Sequence, residues 1–141
     1  MDEGRQRRTY AVLALICGIV GMAGGGTFAA IGVWVAFVEP AYLDRASRLL
    51  IGGWGSAGLI GVLGWLWLSS RYLRAGRTGL RDSGPWPWAA LGLGALAAVA
   101  VVGMAFWQAA ASPTALVLLL AGPPLLLPAV MLVRLRRTQG T

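Results

Sequence analysis

Between Asp82 and Arg134 the chain runs for 51 residues, Ser83 to Val133, without one charged side chain. As a single straight helix that run would reach roughly 76 Å, far beyond the ~30 Å of a bilayer's hydrocarbon. It must fold back on itself. The turn chemistry inside it is Ala111-Ser112-Pro113-Thr114, where proline removes a backbone donor and biases its predecessor away from helix. A tight hairpin there divides the run into spans at 89–111 and 115–133, and two further uncharged stretches, 10–38 and 49–68, bring the number to four. Charged residues make up 12% of the 141, and mean hydropathy is +0.70. A soluble domain carries roughly 25% charge, so the composition excludes a water-soluble globule. The expected fold is an all-α integral membrane protein: one polytopic domain, 1–141, built as a four-transmembrane-helix bundle.

The cationic residues are twelve arginines, and their placement sets orientation. Arg5, Arg7 and Arg8 precede the first span, Arg71, Arg74, Arg77 and Arg81 lie between the second and third, and Arg134, Arg136 and Arg137 follow the fourth. Only Arg45 and Arg48 fall on the other side, beside Glu39 and Asp44. Loops rich in arginine stay cytoplasmic, so both termini are expected inside. The first apolar run is too long for a signal-peptide h-region, so the N-terminus is read as a retained span. Alanine, glycine and arginine usage points to the cytoplasmic membrane of a bacterium with a GC-rich genome. The net charge of +7 flanks apolar spans and forms no compact basic domain, so anionic lipid headgroups are the expected electrostatic partner and nucleic acid is not.

Tryptophan prefers the headgroup level. Trp34, Trp54 and Trp107 then mark one face, and Trp65, Trp67, Trp86 and Trp88 the other. Trp54 and Trp65 are only ~16 Å apart along a helix, so at least one of them is expected inside the bilayer or against another helix.

Glycine supplies the clearest pattern within the spans. It recurs every third residue at Gly52, Gly55, Gly58, Gly61 and Gly64, and at Gly18, Gly21 and Gly24. The sets Gly21-xxx-Gly25-xxx-Ala29 and Gly53-xxx-Ala57-xxx-Gly61 each align three small side chains on one helix face, which lets backbones approach closely. Gly21, Gly25, Ala29, Gly53, Ala57, Gly58 and Gly61 are therefore the expected helix-packing residues, within one chain or towards a second subunit in a homo- or hetero-oligomer. Gly24-Gly25-Gly26 weakens helix by about 1 kcal/mol per residue relative to alanine, so a kinked or unwound turn is expected there. In the fourth span Gly122, Pro123, Pro124 and Pro128 form the expected helix break, because the prolines free carbonyls that need other partners.

Outside the bilayer, 39–48 reads as an interfacial segment. Glu39-Pro40 opens a short helix there, and Asp44 and Arg48 are i,i+4 partners. The segment 69–88 reads as a basic cytoplasmic loop whose Arg71, Arg74, Arg77 and Arg81 contact anionic lipid or an acidic partner, with Gly76 and Gly79 weakening any helix through them.

There is no histidine and one cysteine, and the polar side chains within the spans are Cys17, Thr27, Ser56 and Gln108, none of them ionised at neutral pH. Gln108 is expected to bridge two helices. No catalytic residue, cofactor site or metal site emerges, since the usual zinc, haem and triad chemistries lack their main ligand or base. The four-span size is similar to that of small multidrug exporters, but those carry a glutamate in the first span and none stands here, so no residue carries over. Three function classes remain. The favoured one is a non-enzymatic accessory or assembly subunit of a membrane complex, acting through glycine-rich helix packing. The others are a small oligomeric channel or transporter using the proline-broken fourth helix, and a membrane enzyme acting on a lipid or quinone with Glu39 and Asp44 as its acids.

Overall fold

The computed structural model describes residues 3–38, 43–109, 124 and 126–137. Among them there is no strand, and nearly every residue is helical. The chain begins with α1 (Glu3–Gly21), continues through a π-helical turn (Met22–Gly26) into α2 (Thr27–Val38), and then forms α3 (Arg45–Arg81), α4 (Pro85–Ala109) and α5 (Leu126–Arg137). Three helices are long and apolar enough to cross a membrane: Gly4–Val38, Arg45–Arg81 and Pro85–Gln108. This agrees with a helical, multi-pass membrane protein. The Ala111–Thr114 hairpin, and the fourth stretch as far as 123, lie outside the described residues. The described end of that stretch belongs to α5, which is 12 residues and ~18 Å long and runs on past Val133 to Arg137.

The three consecutive glycines of the first span widen its helix rather than end it. The π turn falls on Met22–Gly26, and α1 and α2 read through as one rod. Glycine allows this because the looser turn, poor in side-chain packing, needs no Cβ accommodated.

Two segments expected outside the spans, an interfacial helix and a basic loop, prove in their described parts to belong largely to α3. No separate interfacial helix occupies 43–48: Asp44 is the N-cap of α3, its carboxylate accepting from the Ala46 and Ser47 amides at 3.1 and 3.3 Å, so Arg45 already stands in the first turn of the spanning helix. Glu39 and Pro40 lie outside the described residues. At the other end α3 continues through 69–81, well past the 20 residues that suffice to cross. Its one break is Gly76, at φ 64 and ψ −147, a conformation L side chains rarely adopt. Beyond it the chain packs back on the helix end, so a Cβ at Gly79 would stand 2.7 Å from the Arg71 carbonyl oxygen. Leu80 is thereby turned into the core. Asp82–Gly84 then connect to α4, with the Asp82 amide donating to Thr78 O at 3.0 Å and Pro85 in the first helical position, where a missing N–H costs nothing.

The core is concentrated at one end of the bundle. Tyr10 and Ala14 from α1, Trp65, Leu68, Tyr72 and Leu80 from α3, Leu91 from α4, and Ala129, Leu132 and Leu135 from α5 form one buried cluster, flanked by Trp88 and Met131. Within it the Tyr10 and Ser69 hydroxyls hydrogen-bond at 2.6 Å, and the Tyr10 and Tyr72 rings meet edge-on with centroids 5.0 Å apart.

Candidate functional site

Glycines at every third position turn by about −60° per step around a helix of 3.6 residues per turn, so such a stripe cannot face a single neighbour for long. In α3 it faces two. A Cβ at Gly55 would stand 2.6 Å from Ala29 O, and one at Gly58 3.2 Å from the Ala29 Cβ, so this part of the stripe lies on α2. One helical turn later a Cβ at Gly61 would lie 2.3 Å from the Gly94 Cα, and one at Gly64 2.8 Å from the Ala90 Cβ, so the stripe has passed to α4. The Gly61–Gly94 crossing is the tightest approach in the bundle among these glycines. Gly18 does a different job: it receives the edge of the Trp65 ring, whose Cη2 would be 2.6 Å from a Cβ there.

Of the residues singled out for packing by sequence, Ala29, Gly58 and Gly61 stand at these crossings and Gly21 is buried in α1. Gly25 lies in the π turn and Ala57 is half-buried. Gly53 differs, being exposed with nothing within 4 Å of where its Cβ would be. Gly94 was not singled out, although Ala90-xxx-Gly94-xxx-Ala98 carries the same small-residue signal in the third span.

Where the stripe changes neighbours, the helices leave an apolar pocket of about 210 Å³. Gly25 and Phe28 close it on one side, Trp54 and Trp65 on another, with Ala97 and Met104 from α4 and Leu126 from α5 completing the wall. Trp54 is held there by its Nε1, which donates to Ala97 O at 3.1 Å and ties α3 to α4. Trp65 is 6% exposed. Both rings of the pair that was too closely spaced to mark opposite faces are thus engaged with other helices. Trp107, by contrast, is 86% exposed.

The second feature is the arginine end. The Tyr10–Ser69 bond brings the start of α1 to the end of α3, and Arg77 Nη2 donates to Gln6 Oε1 at 2.5 Å across the same pair. Leu135 joins the same cluster, so the end of α5 arrives there too. Arg5, Arg7 and Arg8, the four arginines of 71–81, and Arg134 and Arg136 are thus carried to one end by three separate helices. Arg71 stacks on Trp67 and Arg136 on Trp88, each guanidinium carbon 4.6 Å from the ring centre. Trp88 Nε1 in turn donates to Ser83 Oγ at 2.8 Å. The four arginines of 71–81 do not share one helical face, because the Gly76 break separates Arg71 and Arg74 from Arg77 and Arg81.

Gly122 and Pro123 lie outside the described residues. Pro124 occupies a single 3₁₀ position, and Pro128 is buried in the first turn of α5, where its missing N–H breaks no bond within the helix. Gln108 is exposed in the last turn of α4, next to residues outside the described set, and Cys17 is a half-buried free thiol. Asp44 and Arg48 take different partners: Asp44 caps α3, and Arg48 Nε donates to Ala36 O at 3.0 Å. Among the described residues no three metal-ligating side chains come together. No family model, curated protein or solved structure matches the chain.

Proposed function

We propose that this protein crosses a bacterial cytoplasmic membrane four times, with both termini and the arginine end inside, and serves as a non-enzymatic accessory or assembly subunit of a membrane complex. The observation that carries this reading is how α3 is used. Its glycine stripe is spent on α2 and α4 within the chain, which gives a stiff scaffold. Large apolar side chains such as Trp34, Phe37, Leu63, Leu96, Phe106 and Trp107 are left on the outside. In a membrane that surface is available to lipid or to another membrane protein, which fits assembly better than catalysis. The pocket at the centre of the bundle is lined by apolar residues, whereas carriers of protons or ions place an ionisable group within the membrane. The clustered arginines suit anionic headgroups of the inner leaflet at about 1 kcal/mol each.

The test has two arms on the same preparation. After gentle extraction, native mass spectrometry should show the chain with a second membrane protein or a second copy, and the purified chain in proteoliposomes should conduct neither ions nor small solutes. Flux through the chain alone would replace this reading with the channel or transporter one.

A further inference from the structure

The end of the bundle opposite the arginine cluster has a site of its own. Ala36 and Phe37 of α2 and Arg45, Arg48, Leu49, Gly52, Gly53 and Ser56 of α3 enclose a groove of about 340 Å³. The residue four beyond Ala36 is Pro40, which has no N–H, so continuing the helix could never satisfy the Ala36 carbonyl. Arg48 Nε fills that role at 3.0 Å, which fixes the guanidinium over the groove while using one of its five N–H donors. Arg45, exposed one turn earlier, lines the same groove. These two arginines stand at the end away from the arginine cluster, and they share one groove. The floor is small-residued and mostly apolar, with Ser56 its polar member. Gly52 packs on Ala36 and Phe37, and Gly53 has open space above it. Phe37 and Leu49, both largely exposed, form the walls. A cationic rim over an apolar trough matches an anion with a hydrocarbon tail, since guanidinium pairs with phosphate through charge-assisted hydrogen bonds.

We propose that this groove holds one anionic phospholipid of the leaflet at the Arg45 end, its phosphate between Arg45 and Arg48 and an acyl chain along Gly52, Gly53 and Ser56. The site requires only that the helices cross a membrane. It stands apart from any subunit role, so the two can fail separately.

The experiment is native mass spectrometry of the purified full chain in detergent, titrated with equal amounts of phosphatidylglycerol and phosphatidylcholine. Wild type should retain one more tightly held phosphatidylglycerol than the R45Q/R48Q variant. R45Q alone should weaken that binding about tenfold through loss of a charge-assisted phosphate contact. Because R48Q also removes the Ala36 contact, Gly53→Leu provides the second line: it keeps both arginines, meets no neighbour at its Cβ, and blocks the trough, so it too should lose the lipid. R74Q/R81Q, altered at the far end, should keep it. Retention of phosphatidylglycerol by R45Q and G53L at the wild-type level would overturn the proposal. So would equal retention of phosphatidylcholine, or displacement of the lipid by inorganic phosphate at the same concentration.

Discussion

Replacing Gly61 with alanine tests the central crossing with a single methyl group. The new Cβ would sit 2.3 Å from the Gly94 Cα and 3.0 Å from its nitrogen, both backbone atoms that cannot rotate aside. Carbon atoms in contact prefer ~3.5–4.0 Å, so α3 and α4 must part by more than ~1 Å at this point. Overpacking of this kind costs about 1–3 kcal/mol. Alanine also favours helix over glycine by about 1 kcal/mol, which would mask part of the loss. Gly53→Ala removes that ambiguity: the site is in the same helix, gains the same propensity, and meets nothing within 4 Å. The stability difference between G61A and G53A therefore isolates the steric cost, and G61A should be the less stable by about 1–3 kcal/mol. Unfolding in mixed micelles by titration with a denaturing detergent, followed by tryptophan fluorescence, measures it. Equal stabilities for the two variants would refute the crossing at Gly61 and Gly94.

Loss of the Tyr10–Ser69 bond in Tyr10→Phe should destabilise by about 1 kcal/mol, and Ser69→Ala should add little to it; full additivity in a double-mutant cycle would mean the two hydroxyls do not interact. Gly76→Ala should strain the φ 64 position by about 1–3 kcal/mol and release the end of α3, read as faster tryptic cleavage at Arg77 and Arg81; unchanged cleavage would argue against the break. Hydrogen bonds from Ser47, side chain first and then backbone, with a further one from the Ala46 amide, hold the Asp44 carboxyl below its ordinary 3.8. A lowered pKa means the capped form is present above that value and is lost as pH falls through the lowered one. The Ala46 and Ser47 amide resonances should therefore titrate with a midpoint below 3.8, and a midpoint above it would remove the cap from the account.

The membrane-crossing character was legible because it depends on summed composition: a 51-residue uncharged run admits few other folds. Local details followed when one residue type dominates its backbone, as with the widened turn at Gly24–Gly26. Glycine spacing located the tight face of α3 but not its partners, since the rotation of a three-residue repeat about the axis matters only once neighbours are placed on either side. Gly94 carries the same local signal in Ala90-xxx-Gly94-xxx-Ala98, but its pairing with Gly61, 33 residues away in another span, is not readable from spacing. Gly76 and Gly79 argue against helix in 69–81, and the helix does break at Gly76; what local sequence hides is its continuation through 69–75, which burial of Tyr72 supports from outside the segment. The Arg48–Ala36 contact was obscured by a plausible local alternative, the i,i+4 pair with Asp44, which loses to capping at one residue and to an orphaned carbonyl at the other.

The most direct test of the whole account is labelling of single cysteines, in a Cys17→Ser background, with a maleimide that cannot cross membranes. In intact cells a cysteine at Ser47 should react from outside, whereas cysteines at Arg8, Arg74 and Thr138 should react only after the membrane is opened. A Thr138 cysteine labelled from outside, with Arg8 protected, would put the two termini on opposite sides and contradict four crossings with a single cytoplasmic arginine face.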